Sequence, residues 1–372
     1  MGVVIVLLSI TPPGIHYAYL LRNYRPPPPV VGREDFSLPD ITIFVPARDE
    51  SAMICGKLEE ILSLEYPRDK LRILVIDSGS EDNTGMLAES FLMENAGEVQ
   101  WHVERLEKSG KSLAVNRALS IIDTEFFVMT DVDCRVGKNS LVSMMGRFME
   151  DEEIGAICGC ISITDSIPLQ QYRRRFNILR LRESGIDSTP IFEGSICAFK
   201  MSSISPREIS VNINADDSQL ALISRRNGYR AIMDEKVEFF ESSLPKKEQI
   251  RRSLRRAQGI TRTLYDNRDL VLRDGKFGLI FLQNFYFYIV MPWISMLGTV
   301  VIFFSLIFYF LEPTIDPDWP YLISITTLVI ICILKFTRNF YFGIILLLWA
   351  QIFSIAGIKL NIWKPFRKQT VH

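Results

Sequence analysis

Phe126-Phe127-Val128-Met129-Thr130-Asp131-Val132-Asp133 is an apolar run of strand type that stops in two carboxylates one residue apart. Asp is common in strand-end turns for purely local reasons. In an open α/β sheet, however, ligands bind beyond the carboxyl ends of the strands. Paired Asp oxygens at such an edge suit a hard cation such as Mg²⁺ or Mn²⁺, with ligand phosphates completing its shell. The neighbouring sequence decides which of these applies.

Upstream of this run the chain alternates strand and helix patterns. Strands are expected at 41–45, 72–76, 99–104 and 125–130, and helices at 51–64, 82–95 and 111–122. Alternation at these lengths predicts an α/β domain with a parallel, doubly wound sheet. The strands end in polar residues: Pro46-Ala47-Arg48-Asp49-Glu50, Asp77-Ser78-Gly79-Ser80, and Asp131 with Asp133. A ligand crevice is expected where these ends meet.

Composition narrows the chemistry. The 372 residues carry 42 Lys plus Arg against 43 Asp plus Glu, so no global field favours nucleic acid. Only three histidines are present, and His16 lies in an apolar stretch and His372 at the terminus. Carboxylates must therefore do the acid–base and ligand work. Six cysteines show neither zinc spacing nor a disulfide framework, which predicts a reducing compartment, with Cys158 and Cys160 as core residues.

The ends of the chain differ from its middle. Residues 1–21 of an anchor segment 1–24 are apolar, interrupted by Pro12-Pro13, and followed rather than preceded by arginines (Arg22, Arg25, Arg33). That order predicts an uncleaved anchor with the next domain in the cytoplasm, and a kink at the prolines. Residues 25–40 read as a Pro-rich linker, 41–245 as the α/β domain, and 246–278 as a basic amphipathic region. In the last, Ile250, Leu254, Ala257, Ile260 and Leu264 share a stripe beside Arg251, Arg252, Arg255, Arg256 and Arg262, a pattern suited to anionic head groups. A second basic segment runs from Tyr172 to Arg182.

Residues 279–358 are expected to hold α-helical transmembrane segments: an in-plane piece before a helix at 292–311, then spans at 319–336 and 340–358. Three such spans would leave the basic tail 359–372 outside, against the positive-inside rule. Either one segment does not span or the tail is tolerated.

Lys108-Ser109-Gly110-Lys111-Ser112 looks like a P-loop, but Arg105 occupies the position where that motif needs glycine. The order of motifs instead resembles the family 2 glycosyltransferases, which have a GT-A fold. The resemblance covers roughly 41–260. It runs through Val45–Glu50, Ile76–Ser80, Gly110-Lys111-Ser112 with Asn116, Asp131-Val132-Asp133, Asp216-Asp217-Ser218-Gln219-Leu220, and Arg252-Ser253-Leu254-Arg255-Arg256-Ala257-Gln258-Gly259.

The resemblance implies a Rossmann-like GT-A catalytic domain and a set of roles. Pro46, Ala47, Arg48, Glu50, Asp77, Ser80, Lys111 and Asp131 would bind the donor nucleotide-sugar. Asp131 and Asp133 would hold Mg²⁺ or Mn²⁺. Asp217 would be the general base of a single inverting displacement, and Asp216, Arg252, Arg255 and Arg256 would face the diphosphate or acceptor. Asp216-Asp217 also suits a helix N-terminus on dipole grounds alone. Two departures stand out. Ser78 replaces a second Asp of many relatives, which should perturb nucleotide contacts. The Gln-x-x-Arg-Trp of processive synthases is here Arg252-Ser253-Leu254-Arg255-Arg256. Glu193-Gly194-Ser195 matches a Gly-containing loop that relatives place near the acceptor.

The expectation is a membrane-bound, metal-dependent enzyme moving a sugar from a cytoplasmic UDP- or GDP-sugar to a lipid or lipid-linked acceptor at the bilayer. Alternatives are a processive polysaccharide synthase of cellulose or hyaluronan synthase type, a membrane-linked nucleotidyltransferase, and a scaffold without catalysis.

Overall fold

The computed structural model of the chain describes residues 2–26, 37–162, 168–241, 245–273, 275–311 and 335–360. Two compact units emerge, one from Tyr24–Leu244 and one from Met1–Asn23 with Pro245–Leu360.

The first unit is built on an eight-stranded sheet. Its strands are β1 (Ile41–Ala47), β2 (Leu71–Ser78), β3 (Gln100–Leu106), β4 (Phe126–Thr130), β5 (Cys134–Val136), β6 (Ile154–Ile161), β7 (Ile196–Lys200) and β8 (Arg230–Glu241). The order is β3-β2-β1-β4-β7-β6-β8-β5. Helices α2 (Ile54–Leu62), α3 (Thr84–Asn95), α4 (Lys111–Ile121), α5 (Ser140–Glu150), α6 (Pro168–Ile186) and α7 (Asp216–Arg226) connect the strands.

Period-two alternation sorts the core into two layers. Ile41, Ile43, Val45, Ile73 and Val75 pack with Ile54, Leu58, Ala88, Leu92, Leu141 and Met144 of α2, α3 and α5. Phe44, Leu74, Ile76, Phe127 and Met129 point the other way, onto Ala114, Val115, Ala118 and Leu119 of α4 and Leu220 and Ala221 of α7. Phe127 stacks on Phe199 with centroids 5.1 Å apart. Each fully buried side chain of this size contributes roughly 1.5–3 kcal/mol before entropy is counted. Placing α4 and α7 on one face is what later brings their N-termini together.

The sheet is not parallel throughout, which corrects the expectation from sequence. β1, β2, β3 and the β1–β4 pair are parallel. β7 runs antiparallel to both β4 and β6, and β5 antiparallel to β8. A strand buried on both faces is a plain apolar run in either direction, so the pattern alone does not reveal its sense. The consequence is functional. Thr130 pairs with Ile196, so β7 begins where β4 ends. Glu193-Gly194-Ser195 thus reaches the same rim as Asp131: the Asp131 N–H donates to Ser195 O at 3.2 Å, and Thr130 Oγ1 to the same carbonyl at 3.0 Å.

The second unit is helical. It contains α1 (Gly2–Asn23), α8 (Lys246–Asp266), α9 (Lys276–Phe285), α10 (Met291–Leu311) and α11 (Lys335–Ile355). Helix α1 runs on through Pro12 and Pro13. A π-turn, Tyr286–Val290, joins α9 to α10, so 276–311 is continuously helical rather than an in-plane piece followed by a helix. Such a turn disturbs the backbone ladder, and the Tyr288 carbonyl here accepts from Gln351 Nε2 at 3.2 Å. Buried Ser9 and Ser295 share a hydrogen bond of 2.8 Å between α1 and α10. On α8, Gln258 donates to Ile358 O at 2.8 Å and accepts from Leu360 N at 2.9 Å. Residues 319–334 of the span expected at 319–336, and most of the basic tail, lie outside the described residues.

Candidate active site

Parallel register brings the first two strand ends level, with Ala47 beside Asp77 and Pro46 beside Ile76. The loops that follow are latched to each other. The Asp49 N–H donates to Ser80 Oγ at 2.9 Å, Glu81 N–H to Asp49 Oδ1 at 2.7 Å, Glu50 N–H to Thr84 Oγ1 at 2.7 Å, and Ser51 N–H to Asp82 Oδ2 at 3.1 Å. Asp49 adopts φ of 50°, a left-handed conformation that Asp tolerates because its short side chain bonds locally. Buried Asp77 accepts from Ser80 twice, from its N–H at 3.1 Å and from its hydroxyl. Of the expected donor residues, Pro46, Ala47, Arg48, Glu50, Asp77 and Ser80 therefore meet at one rim.

Ser78 follows Asp77 at the end of β2. It is fully buried and turned toward the loop before α4, accepting from Gly110 N–H at 2.7 Å and donating to Gly110 O at 3.0 Å. It anchors the start of α4. Gly79, with φ of 65°, makes the close approach possible: a Cβ there would lie 3.2 Å from Glu107 O.

Helix α4 then delivers Lys111, whose Nζ lies 2.6 Å from Asp131 Oδ1. Burial works against the Lys111 charge, but Asp131, Asp216 and Asp217 together hold its pKa above the ordinary lysine range. Next along α4, Ser112 Oγ donates to Asp216 Oδ1, tying it to the N-terminus of α7. Asp216 and Asp217 form the first turn of α7. Burial raises the Asp217 carboxyl to about 7. Lys111 and the Ser218 N–H pull it down, while Asp216 and Glu193 push it up. Gly194 sits against this carboxylate, so a Cβ at that position would be 3.1 Å from Asp217 Oδ2. Glu193 is ion-paired with Arg180 of α6.

Asp131 and Asp133 occupy the turn between β4 and β5. Both act on Glu50, whose pKa is raised to about 8 by burial first, then by Asp133, Asp131, Asp82 and Asp49. Among the described residues, no three His, Cys, Asp or Glu side chains form a metal cage. The donor set is two hard carboxylates amid surplus negative charge. That fits a Mg²⁺- or Mn²⁺-sized cation whose remaining ligands come from phosphate and water. Arg252, Arg255 and Arg256 belong to α8 of the helical unit.

Asp82 and Thr84 are supports of this rim that were not singled out from the chain. Asp82 accepts from Thr84 N–H at 3.0 Å, a local turn just before α3. Asp-x-Thr ahead of a helix was its available signal.

Residues 42–206 match the family model described as Glycosyl transferase family 2. The chain is 27% identical over 124 residues to "Probable glycosyltransferase YdaM" of Bacillus subtilis, covering 33% of this chain and 29% of that protein. It is 28% identical over 121 residues to "Beta-monoglucosyldiacylglycerol synthase" of Trichormus variabilis, covering 32% and 26%. The chain thus spans less than a third of the length of these relatives. Its fold is similar to that of the mannosyltransferase PcManGT from Pyrobaculum calidifontis, solved in complex with GDP-Man and Mn2+. That match has a TM-score of 0.80 and 24% identity, covering 95% of this chain and 97% of the other. The likeness is one of fold, mixed α/β and GT-A-like.

Proposed function

We propose that this chain, a family 2 glycosyltransferase, moves a sugar from a UDP- or GDP-sugar to a lipid or lipid-linked acceptor in a single inverting displacement. The observation that carries the reading is the line from Asp131 through Lys111 to Asp217. A lysine ion-paired with one end of the acidic turn lies in the electrostatic field of the carboxylate that serves as base.

In this reading Pro46, Ala47, Arg48, Glu50, Asp77 and Ser80 bind and orient the donor nucleotide. Asp131 and Asp133 would hold Mg²⁺ or Mn²⁺, which when bound offsets the charge on the departing diphosphate. The acceptor hydroxyl gives its proton to the Asp217 carboxylate as its oxygen bonds to the anomeric carbon. The bond from that carbon to the nucleoside diphosphate breaks, and the diphosphate leaves with the electron pair. A base with pKa near the working pH combines the correct protonation state with useful basicity. Asp216, Arg252, Arg255 and Arg256 are assigned to the diphosphate or to a phosphate on the acceptor, where guanidinium groups bind bidentately.

Among the described residues two helices, Val4–Asn23 and Lys276–Ser305, are long and apolar enough to cross a bilayer. They support an integral membrane enzyme with its catalytic unit in the cytoplasm, as do the arginines that follow the first. The lipid product in the name of the Trichormus relative supports a lipid acceptor. GDP-Man and Mn2+ in the Pyrobaculum structure support the kind of donor and metal.

The test is to incubate the purified protein with UDP- and GDP-sugars, membrane lipids, and either Mn²⁺, Mg²⁺ or EDTA, and to identify products by mass spectrometry. The expected result is one glycosylated lipid and an equal amount of nucleoside diphosphate, both absent in EDTA. Pyrophosphate release would indicate nucleotidyl transfer, a long polymer would indicate a synthase, and full turnover in EDTA would remove the metal role.

A further inference from the structure

The segment between β7 and α7 leads into the turn that carries the proposed base, and three side chains hold it in place. Asn116 of α4 uses both ends of its amide on a single residue: Nδ2 donates to Ile209 O at 2.9 Å, and Oδ1 accepts from Ile209 N–H at 2.8 Å. Gln219 of α7 does the same to Ser210, accepting from its N–H at 2.9 Å and donating to its carbonyl at 3.3 Å. Its Nε2 also reaches Ile213 O at 3.3 Å. Ser112 bonds to Asp216 and to Ile213 O, the latter at 3.4 Å. Ile209 itself is 4% exposed and packs in the layer that includes α4.

These contacts share one origin. Asn116, Ser112 and Lys111 lie within two turns of α4, and the start of that helix is fastened to β2 by the Ser78–Gly110 pair. Loops that lack their own ladder bonds need side chains to satisfy their buried backbone groups. Asn116 supplies both a donor and an acceptor to one residue, which fixes direction as well as distance. Alanine supplies neither. From Ile209 the chain has only eight residues to Asp217, so freedom at 209 is passed to the base.

We propose that Asn116 is a positioning residue for Asp217: its amide clamp on Ile209 sets where the base meets the acceptor hydroxyl. The proposal rests on Asp217 being the base. Misplacing a catalytic group by about 1 Å can cost two orders of magnitude in rate. The loss should therefore fall on turnover and spare the donor.

The test uses the full-length protein in detergent or nanodiscs, with Asn116→Ala compared to wild type. One readout is hydrogen–deuterium exchange at amides 209–217. The other is steady-state kinetics normalised to the fraction of molecules that bind the nucleoside diphosphate. Expected are faster exchange at 209–217, a kcat lower by about tenfold or more, and a donor KM within about twofold of wild type. Asn116→Asp keeps the acceptor for the Ile209 N–H and should recover part of the protection. If Asn116→Ala does not fold, Ser112→Ala removes one bond between α4 and α7 and should give a smaller change of the same kind. Unchanged exchange at 209–217 overturns the clamp. Faster exchange with unchanged kcat, or donor KM rising in step with the loss of kcat, overturns the positioning role. If wild type transfers no sugar to any acceptor, the functional reading fails, and exchange alone still decides the clamp.

Discussion

Lys111 Nζ lies 2.6 Å from Asp131 Oδ1, and its charge also lowers the pKa of Asp217. One side chain from the start of α4 is therefore coupled to both the acidic turn and the Asp pair of α7. It neutralises part of the acidic turn, and it keeps the Asp217 carboxyl closer to its charged form, so that in the proposed mechanism it would serve both the donor side and the base.

Asp217→Asn keeps the shape of the residue and removes its basicity. Transfer should fall by about 10²–10⁴-fold, the usual worth of general base catalysis. Binding of nucleoside diphosphate, measured by calorimetry, should stay within a few-fold. Normal turnover in this variant removes Asp217 as base.

The pKa of Asp217, raised to about 7, also sets signs. Below that pH the base is protonated, so kcat/KM should fall on the acid side with a limb near 7. For stability, a carboxyl raised on folding favours the native state fully below its unfolded value, and that contribution is lost as pH rises through the folded value. Thermal melts of Asp217→Asn should therefore match wild type near pH 4 and exceed it at pH 8. The gain should be on the order of 1–2 kcal/mol, below the full linkage value because the side chain keeps some contact with water.

Lys111→Met should shift that acid limb upward, because the charge opposing the burial of Asp217 is gone. Removing a neighbouring cation should move it by about one pH unit. Donor KM should rise as well, since Asp131 loses its counter-charge. A limb that stays put would mean that Lys111 and the base are not coupled.

Gly194→Ala introduces a methyl group 3.1 Å from Asp217 Oδ2, where the acceptor hydroxyl would approach in the proposed mechanism. Turnover should drop by about tenfold or more with donor binding unchanged. An unaltered kcat would show that the acceptor enters from another side.

Away from the site, Arg147 of α5 bonds Asp234 of β8 at 2.9 Å and Glu150 at 2.8 Å, and Arg147 and Asp234 are almost fully buried. Arg147→Met strands the Asp234 carboxylate and should cost about 3–5 kcal/mol in denaturation. Combining it with Asp234→Leu should restore much of the loss. An equal loss in single and double variants would mean that packing, not charge, is at stake.

Much of the catalytic unit was legible along the chain. The alternation of strands and helices up to Thr130, the polar strand ends, and the acidic pairs at 131/133 and 216/217 are local patterns. They follow from side-chain period and from what a buried strand must do when it reaches water. Ser78 shows the limit. Its place in the motif marked a departure from relatives, but nothing near it in the chain told that its hydroxyl accepts from Gly110 N–H, 32 positions on.

The sequence by itself determined the βα framework, the polar ends of its strands and the acidic pairs at 131/133 and 216/217, because each depends on residues close together in the chain. Only the tertiary structure decided that β7 runs antiparallel to β4, bringing Gly194 against Asp217. It alone showed that Asn116 holds Ile209 across 93 positions, and that burial and neighbours carry Asp217 to about 7 and Glu50 to about 8. The physical reason is common to all three. Strand sense, loop clamps and shifted pKa values arise from segments meeting in space, and the energy of that meeting is written in no single stretch of the chain.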